Sequence, residues 1–256
     1  MKNTLILAMA SSLALGAFGG TLLECPEKGD WKDSRELTQK EDDTLVFTGK
    51  GELHSTERFA VDPAKTIRFS GEFRKNNPSE KVMLFVAFWC WDKNNRQITP
   101  RNISPLAGTE SELAAPVKKT DRTVTVRDAS RLKPGMVMAF AAADDKSDLP
   151  NFNISSGTIA KTEKNADGSW LVTFSSPVHL EFPAGTRIRA HQNSGGYLYA
   201  ALPLLTDTFQ TVAANVSGTG NSIGKWWPGT AKAELVLFAR TGTVSFKNVK
   251  LETPGK

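Results

Sequence analysis

Tryptophan is the residue type in this sequence with the clearest potential for ligand binding. Trp89 and Trp91 occupy alternate positions of one apolar run. If that run is a β-strand, both rings project from the same face, roughly 7 Å apart, a spacing that suits stacking on sugar rings. Trp226 and Trp227 are adjacent in a segment bounded by glycine and proline, where two large rings are difficult to bury together. Sugar binding and packing in a hydrophobic core are the two interpretations of these four rings.

Polar side chains that suit saccharide hydroxyl or carboxylate groups lie on another predicted strand. Arg68, Glu72 and Arg74 alternate there with apolar residues, so all three share the polar face. Tyr199, close to Tyr197, offers a phenol hydroxyl at the rim of a cleft. The alternatives are a solvated row of charges for the strand residues and packing between two structural units for the tyrosine pair.

Catalytic patterns are weaker than these binding patterns. Residues 220–224 match GxSxG, the pattern of a serine nucleophile on a tight turn between a strand and a helix. The nucleophile pattern requires a helix directly after Ser222, but Pro228 prevents the residues after Ser222 from forming one. The segment is therefore predicted to be a flexible loop. Glu52, Glu72 and Asp92 are the carboxylates to inspect for glycosidase chemistry, which needs two such groups about 5 to 10 Å apart.

Metal and redox chemistry have few candidate residues. The three histidines and the two cysteines do not fall into a metal-ligand spacing. The acidic run at residues 144–148 lacks the glycine and the distal glutamate of an EF-hand loop, so it predicts a solvated turn. Cys25 and Cys90 form a disulfide in one interpretation, closing a loop of roughly 65 residues, and are two buried free thiols in the other.

The N-terminus predicts an exported protein. Residues 1–19 contain a basic start at Lys2, an apolar stretch at residues 5–18 and small residues before a cleavage site, which is the pattern of a secretory signal peptide. The apolar stretch is too short for a membrane anchor, so stable membrane insertion is not expected. We therefore expect a secreted, periplasmic or cell-surface location. The formal net charge is +5, and the basic residues are interleaved with acidic ones and do not form a block. This distribution argues against a nucleic-acid partner.

The rest of the chain has the pattern of an all-β protein. Short runs rich in valine, phenylalanine and threonine alternate with glycine and proline turns. They predict strands at residues 44–49, 66–75, 82–92, 123–128, 136–141, 170–175, 187–191, 207–218, 233–240 and 243–252. The run at 82–92 is apolar on both faces, which is typical of a central strand that is covered twice. Brief polar helices are predicted near 34–41 and 110–115.

The residue composition and pattern of the sequence change between residues 101 and 196. This region begins with a polar, alanine-rich connection and continues as a small β unit with its own tight turns. We interpret residues 101–196 as a small β subdomain inserted into a jelly-roll β-sandwich made of residues 20–100 and 197–256.

The order of four segments in the two sandwich pieces resembles the jelly-roll carbohydrate-binding modules of families four, nine and twenty-two, which have a galactose-binding-like fold. These segments are residues 51–76, 82–98, 207–218 and 233–252. The resemblance includes a proline-containing turn before the strand with Ser70-Gly71 and an apolar strand that ends in an aspartate and a turn. Where the family often has acids that hold a structural calcium, this sequence has Lys247 and Asn248, so no cofactor is expected.

The resemblance implies a non-catalytic protein that binds a polysaccharide by aromatic stacking and hydroxyl hydrogen bonds. The alternative is a structural or adhesive surface protein that uses the same sandwich for protein contacts. A polysaccharide lyase or a glycosidase is a lesser alternative. The sequence does not predict an oligomeric state.

Overall fold

The computed structural model describes residues 20–32, 37–49 and 51–254, and the predicted signal peptide lies outside these residues. The strands in chain order are β1 (Thr21–Glu24), β2 (Trp31–Lys32), β3 (Thr38–Gln39), β4 (Leu45–Thr48), β5 (Glu52–Ser55), β6 (Phe59–Ala60), β7 (Ile67–Lys75), β8 (Leu84–Trp91), β9 (Gln97–Ile98), β10 (Ser111–Glu112), β11 (Thr123–Val126), β12 (Val137–Phe140), β13 (Ile159–Lys164), β14 (Trp170–Phe174), β15 (Arg187–His191), β16 (Leu198–Ala201), β17 (Gln210–Val216), β18 (Lys232–Ala239) and β19 (Thr243–Glu252). A helical turn, α1, spans Pro100–Ile103, and a 3₁₀ turn spans Lys28–Asp30.

Eight of these strands wind into a jelly roll. A six-stranded sheet has the order β17-β7-β19-β4-β3, with β1 beside β19, and a seven-stranded sheet has the order β16-β8-β18-β5-β2, with β6 and β9 at its margins. Along the chain, β4, β7, β17 and β19 fall in the first sheet, whereas β5, β8, β16 and β18 fall in the second. Antiparallel strands in this order form the two interlocked Greek keys of a jelly roll, so the predicted fold class is confirmed.

The core between the two sheets follows from strict alternation along the strands. On β7, Ile67, Phe69 and Phe73 point inward and are at most 2% exposed. Leu84 and Phe88 of β8 meet them from the other sheet and are 0% exposed. Each fully buried aliphatic or phenyl side chain contributes about 1.5–3 kcal/mol to folding, so this layer is the main source of stability of the sandwich.

The segment between β9 and β16 has its own layers. Two three-stranded sheets, β10-β15-β12 and β11-β14-β13, are built from it, and none of their strands joins either large sheet. The buried members of its hydrophobic cluster, which include Phe140 and Phe174, all lie between Leu113 and Ala190. The helix predicted at 110–115 is wrong, because Ser111 and Glu112 pair with β15 as a strand. The independence of this segment as an inserted subdomain stays a prediction.

A buried polar network lies where this segment joins the sandwich. Arg189 is 2% exposed, and its guanidinium contacts the Asp148 carboxylate at 2.6 Å and donates from Nε to His191 Nε2 at 2.9 Å. The other ring nitrogen of His191 lies 2.7 Å from the carbonyl oxygen of Arg101 in α1. Asp148 is therefore an internal ion-pair partner and not the solvated acid that the sequence predicted, because β15 brings Arg189 against its turn.

The two cysteines are free thiols in the described structure, so the disulfide interpretation is wrong. Cys25 follows β1 at the six-stranded sheet, and its amide donates to Val249. Cys90 belongs to β8 of the seven-stranded sheet, and both side chains are in the core between the sheets. Burial raises the pKa of each thiol to about 12, with nearby Asp30 and Glu57 adding to the effect at Cys25. Both thiols are therefore protonated and unreactive at neutral pH.

Among the described residues, no helix has the length and apolar character needed to cross a membrane.

Candidate functional site

The candidate site is the outer face of the seven-stranded sheet. Because β8 alternates, Phe85, Ala87, Trp89 and Trp91 project away from the sandwich core. A hydrophobic cluster separate from the main core forms on this face. We define the aromatic face as Phe85, Trp89, Tyr197, Tyr199 and Phe238. The sequence predicted that the second side of β8 must be covered, and the covering residues come from β16, the residues before it, and β18.

The rings of the aromatic face pack against one another in a continuous row. Phe85 and Phe238 are parallel, with ring centroids 4.5 Å apart. Tyr197 stacks on Trp89 with centroids 6.0 Å apart and an interplanar angle of 16°. Tyr199 meets Tyr197 edge to face at 6.5 Å. Trp89, Tyr197 and Tyr199 are partly exposed, so this row presents aromatic surface to solvent.

Charged side chains border the row on the side of β5. The hydroxyl of Tyr197 donates to the Glu52 carboxylate. His54 lies between two carboxylates, with Nε2 3.6 Å from Glu52 Oε2 and Nδ1 3.1 Å from Glu234 Oε1. Lys32 Nζ contacts the other oxygen of Glu234 at 2.7 Å. Each carboxylate thus has a nitrogen or hydroxyl partner, and Glu52 and Lys32 are the exposed members of this group.

Two of these groups have shifted pKa values. Burial raises the pKa of Tyr197, and the hydrogen bond to Glu52 and the charge of that carboxylate raise it further. Tyr197 is therefore a neutral hydrogen-bonding group at physiological pH. Burial alone would raise the pKa of Glu234, but hydrogen bonds from His54 and Lys32 and the charges of these partners lower it overall. Glu234 is ionised and fully engaged by its partners, which is a structural role.

Two open clefts meet at the tyrosine pair. The first cleft has a volume of about 380 Å³ and is lined by residues that include Glu52, Phe238 and Arg240. The second cleft has a volume of about 370 Å³ and lies beside α1 and the loop between β17 and β18. Tyr197 and Tyr199 line both clefts. This position makes the tyrosines, together with Trp89, the accessible aromatic groups of the site.

Three of the four predicted tryptophans are not available for stacking. Trp226 is 0% exposed and packs inside the sandwich, 5.2 Å from the Phe88 ring centroid. Trp227 is 5% exposed, although it contributes to the wall of the second cleft. Trp91 is also 5% exposed, because the Arg58 guanidinium lies over its ring at 3.7 Å. Backbone hydrogen bonds between Trp226 and both Gly218 and Gly220 hold the loop closed, and both rings of the Trp pair belong to the core of the sandwich.

The predicted polar strand lies on the other side of the molecule. Arg68, Glu72 and Arg74 project from the outer face of the six-stranded sheet, so the structure does not bring them to the aromatic face. Glu72 accepts a hydrogen bond from Asn248 at 2.7 Å, and Arg74 lies over the Phe209 ring at 4.9 Å. These contacts correspond to the solvated charged row that was the alternative interpretation.

Sequence reasoning did not single out Phe85 and Phe238 of the aromatic face, or His54 and Glu234 at its border, as site residues. A signal was present for Glu234, because it is the one charged residue in the otherwise apolar run at 233–239. Such a residue needs partners if it is buried, and the structure supplies Lys32 and His54. No signal indicated which partners would meet it, because they come from strands 180 or more residues earlier in the chain.

The other residues that the sequence suggested for catalysis make only local contacts. Asp92 holds its own turn by accepting hydrogen bonds from the amides of Asn94 and Arg96 and from the Arg96 side chain. No helix follows Ser222, and its loop continues instead to Lys225, whose amide bonds back to Ser222. In the described ranges, no group of three or more histidine, cysteine, aspartate or glutamate side chains is positioned to hold a metal ion.

Comparison with known proteins yields one structural likeness to report. No family model and no curated protein matches the chain. Among solved structures, the chain is similar to the CBM22-1 xylan-binding domain from Paenibacillus barcinonensis Xyn10C, at 8% identity and a TM-score of 0.33, over 94% of this chain and 99% of that chain. An identity and a TM-score this low do not bear on the function of the chain.

Proposed function

We propose that this is an exported, non-catalytic protein that binds a polysaccharide on the aromatic face of its seven-stranded sheet. Tyr197 and Tyr199 stack on sugar rings, with Trp89 beneath Tyr197. Glu52 accepts hydrogen bonds from sugar hydroxyls, and Arg240 donates to them. Export rests on the signal-peptide pattern of residues 1–19.

The observation that carries this proposal is the pair of tyrosines shared by two open clefts. Saccharides present apolar C–H surfaces and many hydroxyls, so their binding sites combine aromatic rings with a few well-placed polar groups. The first cleft has this composition, with Tyr197, Tyr199 and Phe238 beside Glu52 and Arg240. The hydrogen bond from Tyr197 to Glu52 orients both groups before any ligand arrives.

The direct test is a calorimetric titration of the mature chain with a panel of soluble plant and microbial polysaccharides. We expect at least one polysaccharide to bind. Tyr197→Ala should weaken this binding roughly tenfold or more, because the stacking surface is lost. The matched control is Phe209→Ala, which removes a partly exposed ring that lies beside Arg74 of the opposite sheet. Retained thermal unfolding transitions show that both variants are folded.

Three results would contradict the proposal. The first is a broad panel in which no polysaccharide binds. The second is equal weakening by the Tyr197 and Phe209 substitutions. The third is the release of reducing ends or unsaturated sugars during the titration, which would indicate a glycosidase or a lyase and overturn the non-catalytic assignment.

A second candidate function is adhesion through protein contacts. Met83 and Leu204 are paired in an isolated bridge at the margin of the seven-stranded sheet and are 39% and 50% exposed. Exposed apolar side chains of this size are a feature of protein interfaces. Size-exclusion chromatography of the mature chain tests this function. A stable oligomer that Leu204→Asp dissociates would favour adhesion, and a monomer would exclude a self-association of this kind.

A further inference from the structure

The second cleft is formed where the chain leaves and re-enters the sandwich. Its walls come from α1 and the following Ser104, from Gln192 and residues 194–196, and from residues 221–223 of the loop between β17 and β18. Trp227 and Ile103 lie at its apolar side. Its existence therefore depends on the two connections to the segment that contains β10 to β15.

The polar groups of this cleft are hydroxyls and amides. Gln192, Ser194, Asn221 and Ser222 supply them, and none of these four side chains has a hydrogen-bond partner among the described residues. Three of the four residues are exposed, and Ser194 is partly exposed. Side chains of this kind can donate to and accept from ligand hydroxyls without breaking any internal bond.

The charge of the second cleft differs from that of the first. None of the described residues that line the second cleft is acidic or basic. The first cleft contains one acid, Glu52, and one base, Arg240. A ligand group that carries a full charge would lose hydration in the second cleft without gaining an ionic partner. The second cleft therefore suits a neutral group that is rich in hydroxyls.

Tyr197 and Tyr199 connect the two clefts. Both tyrosines line both clefts, so a chain that crosses the tyrosine pair occupies the first cleft at one end and the second at the other. Linked binding of two segments of one ligand is stronger than binding of either segment alone. A short oligosaccharide fills one cleft, whereas a longer one reaches both.

We infer that the second cleft is a further saccharide subsite that binds neutral sugar units of a chain already held in the first cleft. This inference rests on the proposed function and assigns a role to the two connections of the segment between β9 and β16. It also defines the ligand class as an extended, neutral glycan of more units than one cleft can hold.

The test compares short and long neutral oligosaccharides on the mature full chain. The probes are cello-, xylo- and manno-oligosaccharides of two and six units, measured by calorimetry. We expect a six-unit probe to bind at least tenfold more tightly than its two-unit counterpart. The double variant Gln192→Ala with Asn221→Ala removes two hydrogen-bonding groups from the second cleft. It should weaken the binding of the six-unit probe roughly tenfold and leave the binding of the two-unit probe unchanged.

Two further variants separate the possible results. Asn193→Ala removes an exposed amide next to Gln192 that does not line the cleft, so it should leave both probes unchanged. Glu52 lines the first cleft and not the second, and it holds the hydroxyl of Tyr197, which lines both, so Glu52→Gln should weaken the binding of both probes. If Glu52→Gln weakens binding but the double variant does not affect the six-unit probe, the second subsite is refuted and the proposed function stands. If no probe or polysaccharide binds the unaltered chain, both are refuted.

Discussion

Tyr197 illustrates how single residues of this protein acquire their roles from neighbours that are distant in sequence. Its ring stacks on Trp89, and its hydroxyl donates to Glu52. Glu52 lies beside His54, which in turn contacts the buried Glu234. A row of alternating acids and donors of this kind holds the aromatic face in one arrangement, because each group is satisfied only while its neighbour stays in place.

His191 makes the stability of the fold depend on pH. Burial lowers the pKa of His191 to about 4, and the charge of Arg189 contributes to the decrease. The unfolded chain has the ordinary value of 6.5, so it binds more protons than the folded chain between pH 6.5 and 4. The stabilisation is complete above pH 6.5 and decreases as the pH falls, by about 3 kcal/mol in total near pH 4.

Urea unfolding between pH 7.5 and 4 measures this dependence. His191→Gln keeps an acceptor for Arg189 and a donor for the Arg101 carbonyl but does not titrate. We expect a smaller loss of the free energy of unfolding for this variant than for the unaltered chain over the same range. Equal slopes for the two proteins would show that His191 is not the titrating group.

At the scale of elements, alternation predicted the strands that have one or two apolar faces. All ten predicted segments contain strands, and the ranges 187–191 and 243–252 coincide with β15 and β19. The missed strands, such as β5, β13 and β16, are short or polar. Their strand conformation depends on pairing with β18, β14 and β8, which a local pattern does not reveal.

Gly71 of β7 shows how closely the strands of the six-stranded sheet pack. A Cβ atom at this position would lie 2.7 Å from Cε2 of Phe73 and 3.0 Å from Cγ2 of Val249. Phe73 is 0% exposed and Val249 is 2% exposed, so neither side chain has free space to move into. Gly71→Ala should therefore lower the free energy of unfolding by about 1–3 kcal/mol through overpacking.

Chemical denaturation of Gly71→Ala checks this value. The matched control is Ser70→Ala, whose side chain projects outward from the same strand and should change stability by less than about 0.5 kcal/mol. An alanine at position 71 that is as stable as the unaltered chain would mean that β7 and β19 can separate more easily than their packing indicates.

At the scale of the whole molecule, the segment between β9 and β16 contributes little to the hydrophobic core of the sandwich. Every fully buried member of its main hydrophobic cluster lies outside residues 104–197, and Phe152 is the one partly buried side chain that the intervening segment adds. The two ends of that segment are adjacent, because Pro105 pairs with His191 and the Gln192 amide donates to Ser104 at 3.0 Å.

Excision of residues 106–190 tests whether the segment is an insertion. A two-residue Asn-Gly turn between Pro105 and His191 spans the gap, since these residues are already antiparallel partners. We expect the shortened chain to keep a β-type circular dichroism spectrum and one cooperative thermal transition at a lower temperature, because Phe152 no longer covers the sandwich. A shortened chain with no cooperative transition would show that the sandwich needs the segment in order to fold.

The sequence alone determined the fold class, because a period of two residues specifies strands and the faces that their side chains share. It also indicated that β8 is covered on both sides, and it gave a cleft rim as one of two interpretations of Tyr199. The tertiary structure decided which rings form that cover. It buried Trp226 in the core, turned Arg68, Glu72 and Arg74 to the opposite side, and kept Cys25 and Cys90 apart as free thiols.

The physical reason is that alternation is a local property, whereas exposure depends on what packs against a face. Tyr197 and Glu52 are 145 positions apart, and His54 and Glu234 are 180 apart. Only the winding of the jelly roll places β5, β8, β16 and β18 side by side in one sheet. The candidate site is formed by residues on these adjacent strands, and no spacing along the chain encodes it.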